Sequence, residues 1–95
     1  MRSFLFYVAE TFDITGHGVM VTSDQTFATL GKVVLHIGDS ISIRSPGRND
    51  RLTTVAGIEH CDPWTPDHVF AILLPTDVSR SDIPIGSEVW LIDRA

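Results

Sequence analysis

Side chains that could bind a metal ion are grouped in one short stretch of the chain. His60, Cys61 and Asp62 are adjacent, and Asp67 and His68 follow them. A transition-metal site needs three or four such side chains that converge on one point. Adjacent side chains on a strand point to opposite faces, so the first three residues cannot all converge. The sequence therefore predicts no metal site.

Cys61 is the only cysteine among 95 residues, which excludes an internal disulfide and fits a reducing compartment. A catalytic cysteine would need a nearby histidine and an oxyanion-forming motif, and no such motif accompanies it. The sequence also has no Gly-x-x-x-x-Gly-Lys-Ser/Thr loop for a nucleotide phosphate. We therefore expect no catalytic residue, no cofactor and no GTP binding, and a structural role for the thiol.

Three arginines, Arg44, Arg48 and Arg51, lie close together on a segment that has the composition of a loop. Guanidinium groups at this spacing could bind phosphate or an acidic partner. Asp50 lies beside them, and the whole chain carries a net charge of −5. A solvated hairpin tip therefore explains the same residues, and both interpretations stay open. The negative charge disfavours a general nucleic-acid coat protein, which would present a basic face.

Strand patterns dominate the segments that must position these side chains. Short apolar runs are separated by turns rich in glycine and proline, and neither a sustained helical period nor an internal repeat is visible. The pattern predicts one all-β domain over residues 1–95, a sandwich or a small closed barrel, with a single helical turn between residues 76 and 85. The predicted strands cover residues 4–14, 19–21, 33–37, 41–43, 52–59, 69–74 and 88–93.

Four segments of the chain carry turn motifs in a characteristic order. They are residues 12–22, 33–43, 54–59 and 82–89, which contain in turn Gly16-His17-Gly18, Gly38-Asp39, Gly57-Ile58-Glu59 and Ile83-Pro84-Ile85-Gly86-Ser87-Glu88-Val89. Together they resemble the second domain of the translational GTPases of the elongation factor Tu group. The resemblance covers nearly the whole chain, residues 7–93. It implies a small antiparallel β-barrel of six to seven strands.

In that family the domain lies between a GTPase domain and a further barrel, and it helps to hold the aminoacyl end of tRNA. The resemblance implies that the pocket for the terminal adenosine would include Ile14, Gly16 and Glu59. A leucine-like residue of the apolar strand would complete it, either Ile72 or Leu74, which share a face. The alternative is that these residues serve barrel packing, a turn and a solvated strand end.

The departures from the family concern the predicted binding function. The family usually has Thr-Gly where this chain has Thr22-Ser23-Asp24. It often has Leu-Arg-Gly where this chain has Leu74-Pro75-Thr76, and commonly has arginine where this chain has Ile85. Two of these changes remove a basic residue. RNA binding is therefore an alternative that the sequence does not favour.

Trp90 alternates with Val89 and Leu91, so one of these two faces must lie outside the barrel. In the multidomain relatives, neighbouring domains cover such an outer face. From Met1 and the end after the last strand we expect a stand-alone copy, which must expose this face, cover it with the apolar start at Phe4, or pair it with another chain. We therefore expect a non-catalytic binding module, cytoplasmic and without membrane contact, that binds a protein partner or itself as a homodimer.

Overall fold

The computed structural model of the protein describes residues 2–26, 35–59 and 68–92. All strand pairs in this part are antiparallel, which confirms the predicted all-β class. A short 3₁₀ turn confirms the helical turn expected between residues 76 and 85. The elements are β1 (Arg2–Ile14), β2 (Gly18–Thr26), β3 (Ser40–Arg44), β4 (Arg51–Thr54), β5 (Gly57–Glu59), β6 (Val69–Leu73), the 3₁₀ turn (Arg80–Asp82) and β7 (Glu88–Ile92).

The strands form one curled sheet in the order β4-β3-β7-β1-β2-β6-β5. Its two terminal strands, β4 and β5, are consecutive in the chain and are separated only by Val55 and Ala56. The Val55 N–H donates to the carbonyl oxygen of Asp39 (3.0 Å), and the Ala56 N–H donates to that of Leu73 (2.8 Å). The link between β4 and β5 is therefore hydrogen-bonded both to the residue that precedes β3 and to the last residue of β6. The result is a curled half-barrel, consistent with the predicted small β-barrel.

The sheet has two halves that share β1. The first half consists of β4, β3, β7 and the start of β1, and the second half consists of the end of β1, β2, β6 and β5. Register irregularities between Phe4 and Phe6, and between Val8 and Glu10, bend β1 from one half into the other. The irregularity between Phe4 and Phe6 breaks the alternation of a regular strand, because Leu5 and Phe6 are both buried while Phe4 is exposed.

Inward-facing side chains from both halves fill one apolar core, so the outer faces of the two halves point away from each other. Ile72 and Leu74 are fully buried in it, as is Phe6, whose ring meets that of Phe70 edge to face. The core contains Leu5, Phe6, Val8, Val19, Val21, Ile41, Ile43, Val55, Phe70, Ile72, Leu74, Val78, Ile83 and Val89.

The strand predicted over residues 33–37 is not formed in its described part, because residues 35–37 lead directly into the turn at Gly38. Residues 33 and 34 lie outside the described residues. A carboxylate holds this turn in place, since Asp39 Oδ2 accepts a hydrogen bond from the His36 N–H (2.8 Å). The Gly38 N–H in turn donates to the carbonyl oxygen of Val55 (2.7 Å), which ties the turn to the link between β4 and β5.

Replacing Asp39 with alanine is expected to lower the free energy of unfolding by about 1–3 kcal/mol, because it leaves a backbone N–H without its acceptor. Asp39 is only 4% exposed, so water cannot easily replace the lost oxygen. Urea unfolding followed by circular dichroism measures the loss. Ser40→Ala, at the exposed neighbouring position, should change stability by less than about 0.5 kcal/mol. Equal stabilities of the two variants would contradict this role of the turn.

Candidate functional site

The residues of the predicted nucleotide pocket do not share one surface. Ile14, 36% exposed, and Gly16 line a depression of about 360 Å³ at the turn between β1 and β2. Ile72 and Leu74 are fully buried in the core and face away from solvent. Glu59 is exposed at the end of β5. The structure thus brings two of the five residues together at one depression, and the binding role of the set stays a prediction.

Strand register shows how far Glu59 lies from this depression. Glu59 pairs with Ala71, Ala71 with Thr22, and Thr22 with Glu10, so these residues form one row across the second half of the sheet. Ile14 lies four residues beyond Glu10 on β1. Strands are about 4.8 Å apart and rise about 3.4 Å per residue, so Glu59 is displaced from Ile14 by about 14 Å along the strands and by about 14 Å across them.

Two arginines of the predicted basic loop bind acceptors of this chain. Arg48 Nη1 donates to the carbonyl oxygen of Ser81 (2.6 Å). Arg51 Nη2 donates to the carbonyl oxygen of Asp77 (3.3 Å) and to its carboxylate (3.2 Å). These bonds attach the β3–β4 hairpin to the segment that contains the 3₁₀ turn. Both guanidinium groups therefore have a structural role in the described part of the chain.

The carboxylate of Asp82 belongs to the same polar cluster. Its pKa lies below the ordinary value of 3.8, chiefly because the Ser79 N–H donates to Oδ2 (3.0 Å). The Ser79 hydroxyl and the charges of Arg51 and Arg48 act in the same direction. Because the folded pKa is lowered, the stabilising contribution of this carboxylate is complete above pH 3.8 and is lost as the pH falls through the folded value.

The first half of the sheet carries an exposed aromatic cluster on its outer side. Register pairs Phe4 with Trp90, Trp90 with Ser42, and Ser42 with Leu52, so these residues share one face. The ring centroid of Phe4 lies 5.3 Å from that of Trp90 and 5.0 Å from that of Tyr7. Phe4, Tyr7 and Leu52 keep 39%, 47% and 60% of their surface exposed. We call Phe4, Tyr7, Leu52 and Trp90 the aromatic face.

Polar contacts fix the orientation of Trp90 within this face. The indole N–H donates to Oε1 of Glu88 (2.8 Å), and the guanidinium of Arg44 lies 5.9 Å from the ring centroid. Such a contact between a cation and an aromatic ring favours a defined stacking geometry. The sequence indicates that Trp90 could lie outside the barrel, and the structure confirms that it is only half-buried. The third arginine of the basic loop is thus also part of the rim of the aromatic face.

Charges of both signs surround the aromatic face. The Asp50 carboxylate forms ion pairs with Arg2 (3.1 Å) and Arg44 (3.5 Å), and the Glu88 carboxylate accepts the hydrogen bond from the Trp90 indole. These four side chains, two positive and two negative, have a formal charge of zero. The exposed carboxylate of Asp24, which accepts a hydrogen bond from the Tyr7 N–H (3.1 Å), adds one negative charge near Tyr7. A depression of about 430 Å³ adjoins the face, and it is lined by Ser40, Ile41, Leu52, Thr53, Thr54 and Ile92. The surface therefore combines protruding rings, a concave apolar neighbour and a rim with charges of both signs.

The second half of the sheet carries a different apolar surface on its own outer side. Register pairs Phe12 with Met20, Met20 with Leu73, and Leu73 with Gly57, so these four residues form one row across four strands. Phe12 is 41% exposed, and Met20 and Leu73 are half-buried. We call Phe12, Met20 and Leu73 the apolar row. The alternation within β1 indicates Phe12 from sequence, whereas the alignment of three strands depends on register.

Within residues 2–26, 35–59 and 68–92, no three histidine, cysteine, aspartate or glutamate side chains come together as metal ligands. Four of the five residues considered as metal ligands from sequence lie outside the described residues, namely His60, Cys61, Asp62 and Asp67. His68 is described and half-buried at the start of β6. In the same described part, no helix has the length and apolar character needed to cross a membrane.

No protein-family model matches the chain, and no curated protein matches it. The two outer surfaces and the charges that surround them are therefore the features of the described residues that bear on function.

Proposed function

We propose that the chain is a non-catalytic binding module, built on a β-barrel like the second domain of the elongation factor Tu group, and that it acts through contact between proteins. The observation that carries the proposal is the aromatic face. Tyrosine, tryptophan and phenylalanine are enriched at protein interfaces because they bury much apolar area at low entropic cost. A contiguous exposed cluster of such side chains marks an interaction surface more often than a single exposed apolar residue does.

The partner that fits this face best is a second copy of the chain. A chain with a net charge of −5 would repel its copy at most surfaces, but the rim formed by Arg2, Arg44, Asp50 and Glu88 is neutral. In a twofold dimer each copy presents the same patch, so the patch must complement itself. Opposite charges on one rim satisfy this condition. The protruding rings beside a depression of about 430 Å³ satisfy it in shape.

The expected affinity is moderate. A stable interface buries about 800 Å² on each partner, and area beyond the aromatic face would have to come from the polar rim. The exposed fractions of Phe4, Tyr7 and Leu52 leave a substantial part of each side chain to be covered. An aromatic centre with a solvated, charged rim typically gives a reversible complex, so we expect a dissociation constant in the micromolar range.

Sedimentation velocity over a concentration series tests the proposal. The wild-type chain should change from monomer to dimer between about 1 µM and 1 mM. Leu52→Glu places an unpaired charge in the aromatic face and should keep the chain monomeric. Val69→Glu is the matched control, because Val69 is an exposed apolar strand residue of the second half (51%) and should leave the dimer intact. A wild-type chain that stays monomeric throughout the series would refute the proposal.

A nucleotide-end binder is the second candidate, supported by the depression of about 360 Å³ that Ile14 and Gly16 line. Asp13 lines the same depression and would repel a phosphate, so we place this candidate second. Titration of ¹⁵N-labelled protein with aminoacyl-adenosine or CCA-ended RNA tests it. Amide shifts confined to Gly16 and its neighbours would support it, and an unchanged spectrum would remove it.

A further inference from the structure

The apolar row lies on the opposite side of the protein from the aromatic face, so one partner in a dimer cannot cover both. Phe12, Met20 and Leu73 are aligned across β1, β2 and β6, and Gly57 of β5 ends the row. Because glycine has no side chain, the row ends in a shallow step beside Leu73. Four strands at about 4.8 Å spacing give the row a length of about 14 Å. This is the length of about two and a half turns of an α-helix.

Carboxylates border the apolar row on one side. Glu10 and Glu59 stand at the two ends of the adjacent row, on the same outer face, with Thr22 and Ala71 between them. Both glutamates are exposed, and neither is in an ion pair within the described part of the chain. The surface around the row is thus acidic, in contrast to the neutral rim of the aromatic face. Its charge has the same sign as the net charge of the chain, −5.

We infer that the apolar row is a docking site for a basic amphipathic helix of another protein. An apolar stripe at positions i, i+4 and i+7 of such a helix would cover Phe12, Met20 and Leu73 along the row. Lysine or arginine residues on one flank of the helix would lie over Glu10 and Glu59. Residues on one flank of a helix recur about seven and eleven positions apart, at about 10.5 and 16.5 Å, and these spacings bracket the separation of about 14 Å between the two carboxylates.

Charge selects this occupant over the others. A second copy of the chain would bring Glu10 and Glu59 against like charges, and an RNA backbone would bring phosphates against them. An uncharged apolar helix would gain nothing from the two carboxylates. The net negative charge of the chain adds long-range attraction for a basic helix, which raises the association rate at low salt. The site is therefore distinct in location and in chemistry from the contact between two copies.

A designed peptide tests the inference directly. The probe is a helix of about 18 residues with leucine on one face and lysine on the other, and its counterpart carries glutamate in place of every lysine. Met1 and Met20 are the only methionines, so a ¹³C-methyl spectrum gives a signal from the centre of the row. The lysine peptide should shift the Met20 methyl signal with saturation in the micromolar to millimolar range. The glutamate peptide should not shift it.

Variants locate the site. Glu10→Gln with Glu59→Gln should weaken binding of the lysine peptide about fivefold to tenfold, because two exposed ion pairs are lost. Phe12→Ala should weaken it about tenfold, whereas Phe4→Ala, at equal exposure on the opposite side, should leave it unchanged. These substitutions are at exposed positions, and a melting curve for each variant shows that the fold persists.

Three results would overturn the inference: no binding up to about 1 mM peptide, equal binding of the two peptides, or binding that leaves the Met20 signal unmoved. None of them depends on the dimer proposed above. The titration gives the same answer for a chain kept monomeric by Leu52→Glu, so failure of one proposal is distinguishable from failure of the other.

Discussion

Replacing Gly18 with alanine is expected to lower the free energy of unfolding by about 3–5 kcal/mol. Gly18 has φ = +101°, a backbone conformation that side-chain-bearing residues rarely adopt. An added methyl group would also overlap the carbonyl oxygen of Leu74 and lie 3.3 Å from the backbone of Pro75. The backbone strain and the overlap act together at the start of β2, where Gly18 lies against Leu74 and Pro75 directly after β6.

Gly16, two residues earlier in the same turn, separates the two causes. It has φ = +78°, and an added methyl group would meet no atom within 4 Å. Gly16→Ala should therefore cost only the strain of the left-handed conformation, about 1–2 kcal/mol. Urea unfolding of both variants at 25 °C measures the difference. If Gly18→Ala is unfolded in water, the loss of its strand signal in circular dichroism agrees with the expectation. Equal losses for the two glycines would contradict the proposed close approach.

Replacing Phe4 with alanine is expected to raise the dissociation constant of the dimer about 30-fold. Phe4 is at the centre of the aromatic face, against Tyr7 and Trp90, and truncation of an aromatic residue at such a centre costs about 2 kcal/mol of binding. It removes contact area on both copies at once, because a twofold dimer uses the residue twice. Sedimentation equilibrium measures the change.

Phe12→Ala is the matched control for this variant. Phe4 and Phe12 are both on β1 and are 39% and 41% exposed, but they lie on the outer faces of different halves of the sheet. Their loss should therefore affect folding stability similarly, while only the first should weaken the dimer. If both variants weaken the dimer equally, or neither does, the contact between copies lies elsewhere.

The strand composition of the fold could be predicted from the sequence because the apolar alternation and turn glycines are local signals. The turns at Gly16-His17-Gly18 and Gly38-Asp39 and the apolar strand starting at Val69 are found where they were expected. The prediction of a strand over residues 33–37 was wrong in its described part, because Leu35 and Ile37 alternate but do not pair with a neighbouring strand. Alternation predicts a strand only where a partner strand is present.

The two surfaces could be predicted only in part, because they are formed by register rather than by local pattern. Alternation predicts that either Trp90 or Val89 and Leu91 lie outside the barrel, and nothing in the sequence aligns Leu52 with Trp90 through Ser42. Regular alternation would place Phe4 and Phe6 on one face of the strand, and the irregular register of β1 separates them. The pocket residues implied by the resemblance were inferred from their positions in sequence motifs. These positions do not determine whether Ile14 and Glu59 lie on one surface.

The two proposed contacts would act together in a dimer. If two copies meet through their aromatic faces, their apolar rows remain on the outside and point away from each other. Each dimer could then bind two basic helices, and two linked helices would bind more tightly than one because the second contact becomes intramolecular. This arrangement would give the module a bridging role that needs no catalytic residue.

Contact between two copies through the aromatic face is tested most directly by a dilution series of ¹⁵N-correlation spectra. Trp64→Phe assigns the indole signal of Trp90, since these are the only two tryptophans. On dilution from about 1 mM to about 10 µM, we predict shifts at Phe4, Tyr7, Leu52 and the Trp90 indole, with the signals of Phe12 and Met20 unmoved. Concentration-independent spectra, or shifts confined to the outer side of the second half, would contradict the account.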